Sequence, residues 1–339
     1  MRTGKITQTA WQRSVRKQLH TEKALFGSSP WETCSGLASE SGACVWADAH
    51  ASGDDGRTGY YAVYRAAGEL AARGVRPEGV SVRVLFPEGS GEEKLGCIAS
   101  GVDCACREMQ MHVTCFQGEV TDTVRHTVVF ACAAGLMNGQ ARKDRETDDK
   151  SGPWKKDSVH REIIMCGYAG LEGTLCILGE AREELETRFV SAFLEQAETM
   201  TGALVRPAQL LSIYEQDGDA VARHIGSGGI LAALWELSET VHMGFEIAMP
   251  QIALKQETVE ICEFYRLNPY IMTSAGSYLI LTSEAEAVLG ALEDAGVHAS
   301  RLGAARAQNA RVIRNGEEVR YLDRPAPDEL ERWRTLSDA

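Results

Sequence analysis

The stretch His224-Ile225-Gly226-Ser227-Gly228-Gly229 runs directly into an apolar stripe at helical spacing, Ile230, Leu234, Leu237 and Val241. Gly226, Ser227, Gly228 and Gly229 would let a ligand approach bare backbone. The start of a helix adds unpaired N–H groups and the positive end of its dipole. A phosphate or carboxylate suits such a turn; a plain turn with its cap is the structural alternative. His224, just upstream, is a candidate proton carrier, and a structural histidine is its alternative. A second glycine-rich stretch, Gly167-Tyr168-Ala169-Gly170-Leu171-Glu172-Gly173-Thr174, follows a strand-like run at 163–166. It lacks the Gly-Lys-Ser/Thr ending of a P-loop and reads as a constrained loop. Asp48, Glu69 and Glu119 stand at element ends or in short strands. Magnesium bound with a nucleotide is commonly held by one or two carboxylates plus phosphate oxygens. These three are therefore the metal candidates, against the alternative of solvated surface groups.

The ten cysteines contain no C-x-x-C pair, the strongest short signature of zinc or redox chemistry. Most lie in apolar stretches, so buried free thiols are expected rather than a metal cluster. Lys and Arg number 35 against 48 Asp and Glu, a net charge of −13. Phosphate repels such a chain, which argues against a general nucleic-acid binder. Hydrophobic residues make up 44% of the 339, ordinary for a globular protein of about two domains. No run approaches the roughly 18 apolar residues of a membrane span. The N-terminus is basic without an apolar core, unlike a secretory signal. A cytoplasmic location is the expectation.

The elements that must position these residues alternate between helix and strand, which points to an α/β (α+β) fold. In the first half, 60–73 reads as a helix and 80–86 as a strand buried on one face. A helix follows at 92–109, then strand-like runs at 113–117 and 124–134. Residues 138–156 are almost wholly polar and read as a linker. Beyond it come a strand at 163–166, an amphipathic helix at 183–200 and helices at 230–241, 258–267 and 284–295. Asn315-Gly316 between strand-like arms is the strongest hairpin signal in the chain.

Together these segments resemble the AIR synthase-related (PurM-like) superfamily, and within it the HypE-like branch of hydrogenase maturation factors. Gly170 to Thr174 resembles that branch's GLEGT segment, and His224 to Gly229 its H-x-x-x-G-G turn. Residues 256–270, Ser274-Ala275-Gly276-Ser277, 316–323 and Pro327-Asp328-Glu329-Leu330 extend the likeness. The resemblance implies an N-terminal nucleotide and dimerisation domain over 1–137, whose strands pair across a homodimer. A linker at 138–156 and a C-terminal domain at 157–333 complete the expected organisation. ATP and Mg2+ would lie in the cleft near the dimer interface, with phosphoryl transfer activating an amide or acyl oxygen. Carried onto this chain, the metal ligands are Asp48, Glu69 and Glu119. The nucleotide-binding positions are Gly170, Glu172, Gly173, Thr174 and 226–229, and His224 is the catalytic assistant.

The N-terminal half departs from that pattern. Ser39-Glu40-Ser41-Gly42 replaces G-E-D-A/C, and Ala67-Gly68-Glu69-Leu70-Ala71 replaces A-N-D-L/I-A. Cys115-Phe116-Gln117-Gly118-Glu119-Val120 replaces G-G-H-T-E-V, and Gly167 stands where a Lys is expected. Such changes weaken a magnesium–phosphate site. The sequence ends Leu336-Ser337-Asp338-Ala339 and its last cysteine is Cys262. The expectation is that the HypE reaction on a terminal cysteine does not run on this chain. Three functions follow: an ATP-dependent enzyme with an unidentified acceptor, a non-catalytic dimeric binding or scaffold protein, and an AIR synthase-type cyclo-ligase.

Overall fold

The computed structural model describes residues 4–19, 25–26, 29–138 and 160–337. The expected linker at 138–156 lies outside them, apart from Asn138. After a short helix α1 (Gln8–Ser14), the first half supplies β1 (Cys34–Ser39), β2 (Gly42–Ser52), α2 (Arg57–Ala71), β3 (Gly79–Pro87), α3 (Glu92–Met109), β4 (His112–Thr121) and β5 (Val128–Asn138). The second half supplies β6 (Glu162–Cys166), α4 (Leu171–Glu180), α5 (Ser191–Glu198), β7 (Val221–His224), α6 (Gly229–Val241), β8 (Gly244–Ala248) and α7 (Gln256–Tyr265). It ends with β9 (Tyr278–Thr282), α8 (Ala285–Asp294), β10 (Ala299–Arg306), β11 (Arg311–Asn315), β12 (Glu318–Tyr321) and α9 (Glu329–Ser337).

Two sheets result. The first has strand order β1-β2-β5-β3-β4 and the second β12-β11-β8-β10-β6-β9-β7. In the first sheet, strand alternation sends Val45, Ala47, Val80, Val82, Val84, Val129, Ala131 and Ala133 inward, where they are buried with α2 and α3. Period-two patterning thus fixes the register, because a one-residue slip would turn all of these to solvent. Among the described residues nothing covers the opposite face, where Leu37, Phe130 and Leu136 are 68%, 44% and 66% exposed. Asp48 and three thiols, Cys44, Cys115 and Cys132, share that face by alternation.

Helix α2 is apolar almost all round, and the reason is its position. It packs on the first sheet and also against the second half of the chain, so twelve of its fifteen residues are buried. The same core continues through Leu171, Leu175, Ile177 and Leu178 of α4 to Ile261 of α7 and Leu330 of α9. Each fully buried Leu or Ile there contributes about 2 kcal/mol relative to exposure. Helix α2 thus shares one core with the first sheet and with helices of the second half, while the second sheet's strands bury their side chains in two separate clusters and meet α2 at β7. Gly68 is required at that contact: a Cβ would lie 2.9 Å from both His224 Cδ2 and the Tyr278 hydroxyl.

Two sequence expectations need correction. The single helix expected at 183–200 is broken. A short turn at Arg182–Glu186 and α5 flank Val190, which is extended at φ −72°, ψ 150°. Phe189 stacks on Phe193 and meets Phe264 of α7 edge-on, so tertiary packing bends the chain where periodicity alone predicts continuity. The cysteines are all free, yet Cys44, Cys97, Cys104 and Cys115 are exposed. The open face of the first sheet and the outer side of α3 carry residues that nothing among the described residues covers. The hairpin is as expected, with Asn315 paired to Glu318 and Gly316 at φ 61°.

Candidate functional site

Glu69, His224 and the stretches 170–174 and 226–229 meet at the seam between the two halves, where their polar groups are taken up by the protein itself, whereas Asp48 and Glu119 lie elsewhere. Glu172 opens α4 and is fully buried. Its Oε1 accepts from Arg65 Nε of α2 at 2.7 Å. Its Oε2 accepts from Thr273 Oγ1 at 2.6 Å and from the Ala275 amide at 2.9 Å. Arg65 also donates to the His50 carbonyl at 2.7 Å and Thr273 Oγ1 at 3.3 Å. Burial disfavours the guanidinium charge, but the Glu172 carboxylate outweighs it and raises the Arg65 pKa. The pair is a staple between α2 and the second half. Thr174 returns its hydroxyl to the Gly170 carbonyl at 2.8 Å, and the Gly170 amide donates to Ser274 Oγ at 2.6 Å. A Cβ on Gly173 would sit 2.2 Å from Met272 Cγ. Gly170, Glu172, Gly173 and Thr174 thus pack and hydrogen-bond within the protein.

The glycine turn at 226–229 does receive an anion, and the chain provides it. The Gly228 amide at the start of α6 donates to Asp328 Oδ2 at 2.6 Å. Oδ1 of the same carboxylate caps α9 by accepting from the Leu330 amide at 2.9 Å. Asp328 is 3% exposed. Burial pushes its pKa up to about 6, against the Gly228 and Leu330 amides and the Arg65 charge that pull it down. Gly228 and Gly229 have φ of 87° and 64°, and a Cβ on Gly229 would strike the Tyr270 carbonyl at 2.5 Å. Bare backbone is needed here for the chain's own close approach.

His224 ends β7 and is 2% exposed. Its Nδ1 meets Glu69 Oε1 at 3.2 Å, and its Nε2 is buried without a partner. The second oxygen of Glu69 accepts from Thr33 Oγ1 at 2.6 Å. Burial would raise the Glu69 pKa; the His224 hydrogen bond and charge, Arg223 and Thr33 outweigh it and bring it to about 2. Both Glu69 oxygens are therefore in use. Asp48 lies on the open face of the first sheet, opposite Cys132 in register. Burial and then a hydrogen bond to Asp48 push that thiol up to about 12. Glu119 stands exposed on the edge strand β4, opposite Leu85.

Asp48, Glu69 and Glu119 are thus not brought together. Among the described residues no group of three or more His, Cys, Asp or Glu is placed to hold a metal ion. Within one chain these three residues do not fit a magnesium–nucleotide site. Sequence reasoning missed Arg65 and Asp328. The signal for Asp328 was present, since Asp followed by Glu-Leu after a proline is an N-cap pattern. Its second partner, 100 residues away, left no trace in the sequence.

A family profile described as AIR synthase related protein, C-terminal domain, matches residues 162–314. A putative hydrogenase expression/formation protein of Methanocaldococcus jannaschii is 22% identical over 283 residues, 82% of this chain and 79% of that one. The second half of the chain is thus similar to the C-terminal domain of AIR synthase related proteins. Its relatives also include a carbamoyl dehydratase HypE of Bradyrhizobium diazoefficiens, 23% identical over 70% of this chain and 65% of that protein. The chain also shares its fold with solved HypE structures. One, from a HypE–HypF complex, has a TM-score of 0.67 at 18% identity, covering 87% of this chain and 93% of that one. Another, HypE in complex with ATP, has a TM-score of 0.66 at 17% identity, covering 96% of each. Among the described residues, no helix is long and apolar enough to cross a membrane.

Proposed function

We propose that this chain is a HypE-like protein that acts as a dimeric binding or scaffold module, without the ATP-driven phosphoryl transfer of the wider superfamily. The observation that carries the reading is Asp328. Its carboxylate occupies the anion position of the glycine turn and is held by two backbone amides. The engagement of both Glu69 oxygens by His224 and Thr33 supports the same reading. The uncovered face of the first sheet, with Leu37, Phe130 and Leu136, supports homodimerisation through that face.

Calorimetric titration with magnesium and a non-hydrolysable ATP analogue tests the proposal. No binding at millimolar analogue is expected. Micromolar binding that is lost in Asp48→Ala would overturn it and favour the ATP-dependent enzyme. That second reading has one observation in its favour. Asp48 and Glu119 are exposed, so their carboxylates remain open to groups supplied by a second subunit.

A further inference from the structure

A cavity of about 350 Å³ lies in the second half of the chain, among Tyr168, Leu204, Val205, Lys255, Glu257 and His298. None of the nucleotide or metal candidates lines it. Its aromatic wall is rigidly held. Gly167, at φ 83°, turns the chain after β6 so that Tyr168 leaves the strand line. A Cβ at Gly167 would meet Ser277 Oγ at 2.5 Å. The Ser277 hydroxyl accepts from the Tyr168 amide at 3.0 Å and donates to its carbonyl at 2.9 Å. The neighbouring amides of Gly167 and Ala169 donate to the His298 and Ala253 carbonyls, both at 2.9 Å. Three consecutive residues are thereby fixed, and the Tyr168 ring stacks on His298 with centroids 4.9 Å apart and planes 10° from parallel.

Onto this platform α7 brings a cation. Lys255 caps that helix, and its ammonium lies 4.2 Å from the Tyr168 ring centroid. Lys255 is half-buried and makes no ion pair with any described residue. An ammonium held over a π face, with its charge uncompensated and a cavity beside it, is arranged to receive an anion. Leu204, Val205 and Met200 add a smaller apolar share to a lining that is mostly polar. Glu257 is the single acidic side chain of the lining, so it offers an acceptor for one N–H or O–H donor and admits one negative group only.

We propose that this cavity binds a small organic anion, a phosphate or carboxylate, with Lys255, held in place by the Tyr168–His298 stack, receiving the charge. Its volume is at the lower end of the range for small-molecule pockets, roughly 300–1,000 Å³. The site is separate from the seam occupied by Asp328, so it stands whether or not ATP binds there.

Calorimetry on the full chain with phenyl phosphate, and separately with benzoate, tests the site and distinguishes the two anions. Saturable submillimolar binding of one of them is expected, weakened about tenfold or more in Lys255→Gln and kept within a few fold in Lys255→Arg. Tyr168→Phe, which keeps the ring stack, should bind as wild type. The proposal is overturned if neither probe gives saturable heat at millimolar concentration. It is also overturned if Lys255→Gln, with an unchanged melting temperature, binds as wild type.

Discussion

Glu69 and Asp328 are two buried carboxylates whose surroundings push them in opposite directions, and stability against pH reads both. Glu69 falls from its ordinary 4.5 to about 2 because its hydrogen bonds and opposite charges outweigh desolvation. Its contribution is present above pH 4.5 and is lost as pH falls through about 2. Glu69→Gln is expected to lose on the order of 2 kcal/mol at pH 7, with the gap narrowing below pH 4.5. Asp328 rises from 3.8 to about 6 because burial outweighs its two amide donors. The folded state then holds a proton that the unfolded state has released, so wild-type stability falls as pH climbs from 3.8 through 6. Urea unfolding from pH 3 to 8 checks both carboxylates. Relative to Asp328→Asn, the wild type should lose ground over that rise. A gap that does not change with pH in either variant would contradict the assigned environments.

At the scale of elements, α2 and α4 are joined by Arg65 and Glu172, and the loop at 273–275 closes the remaining acceptor valence. Neither partner is dispensable, because removing one leaves the other charge buried and unpaired. Glu172→Ala is expected to cost about 3–5 kcal/mol, read as a lowered melting temperature and urea midpoint. A loss under 1 kcal/mol would mean that water reaches Arg65 freely. The sequence showed that α2 is a helix, but it read 167–174 as a loop, whereas Leu171 to Thr174 form the first turn of α4. It could not show that Glu172 faces Arg65, because 107 residues separate them and period reports only which face of an element is apolar. The broken helix around Val190 has the same origin: the Phe189–Phe264 contact is non-local, and local spacing is blind to it.

For the whole molecule, the open face of the first sheet is the surface that the proposed dimer would bury. Five strands present Leu37, Phe130 and Leu136 to solvent on a face that α2 and α3 do not reach. Leu136→Glu would place a charge in the middle of a face that the proposed dimer buries. Sedimentation is expected to find the wild type as a dimer and this variant as a monomer with unchanged unfolding. A wild-type monomer at micromolar concentration would remove the dimer from the reading.

The opening residues show where sequence ends and tertiary structure begins. By itself the sequence determined the α/β alternation, most element positions, the hairpin at Asn315-Gly316 and the anion-friendly character of the turn at 226–229. These follow from residue type and short-range spacing, which act within one element. Only the folded chain decided what fills that turn. Asp328 arrives there from 100 residues away because α9 packs on the core shared with α2 and α4. The same long-range packing uses both oxygens of Glu69 and leaves Asp48 and Glu119 on other surfaces. A carboxylate's chemistry depends on which donors reach it, and those donors are supplied by the tertiary structure.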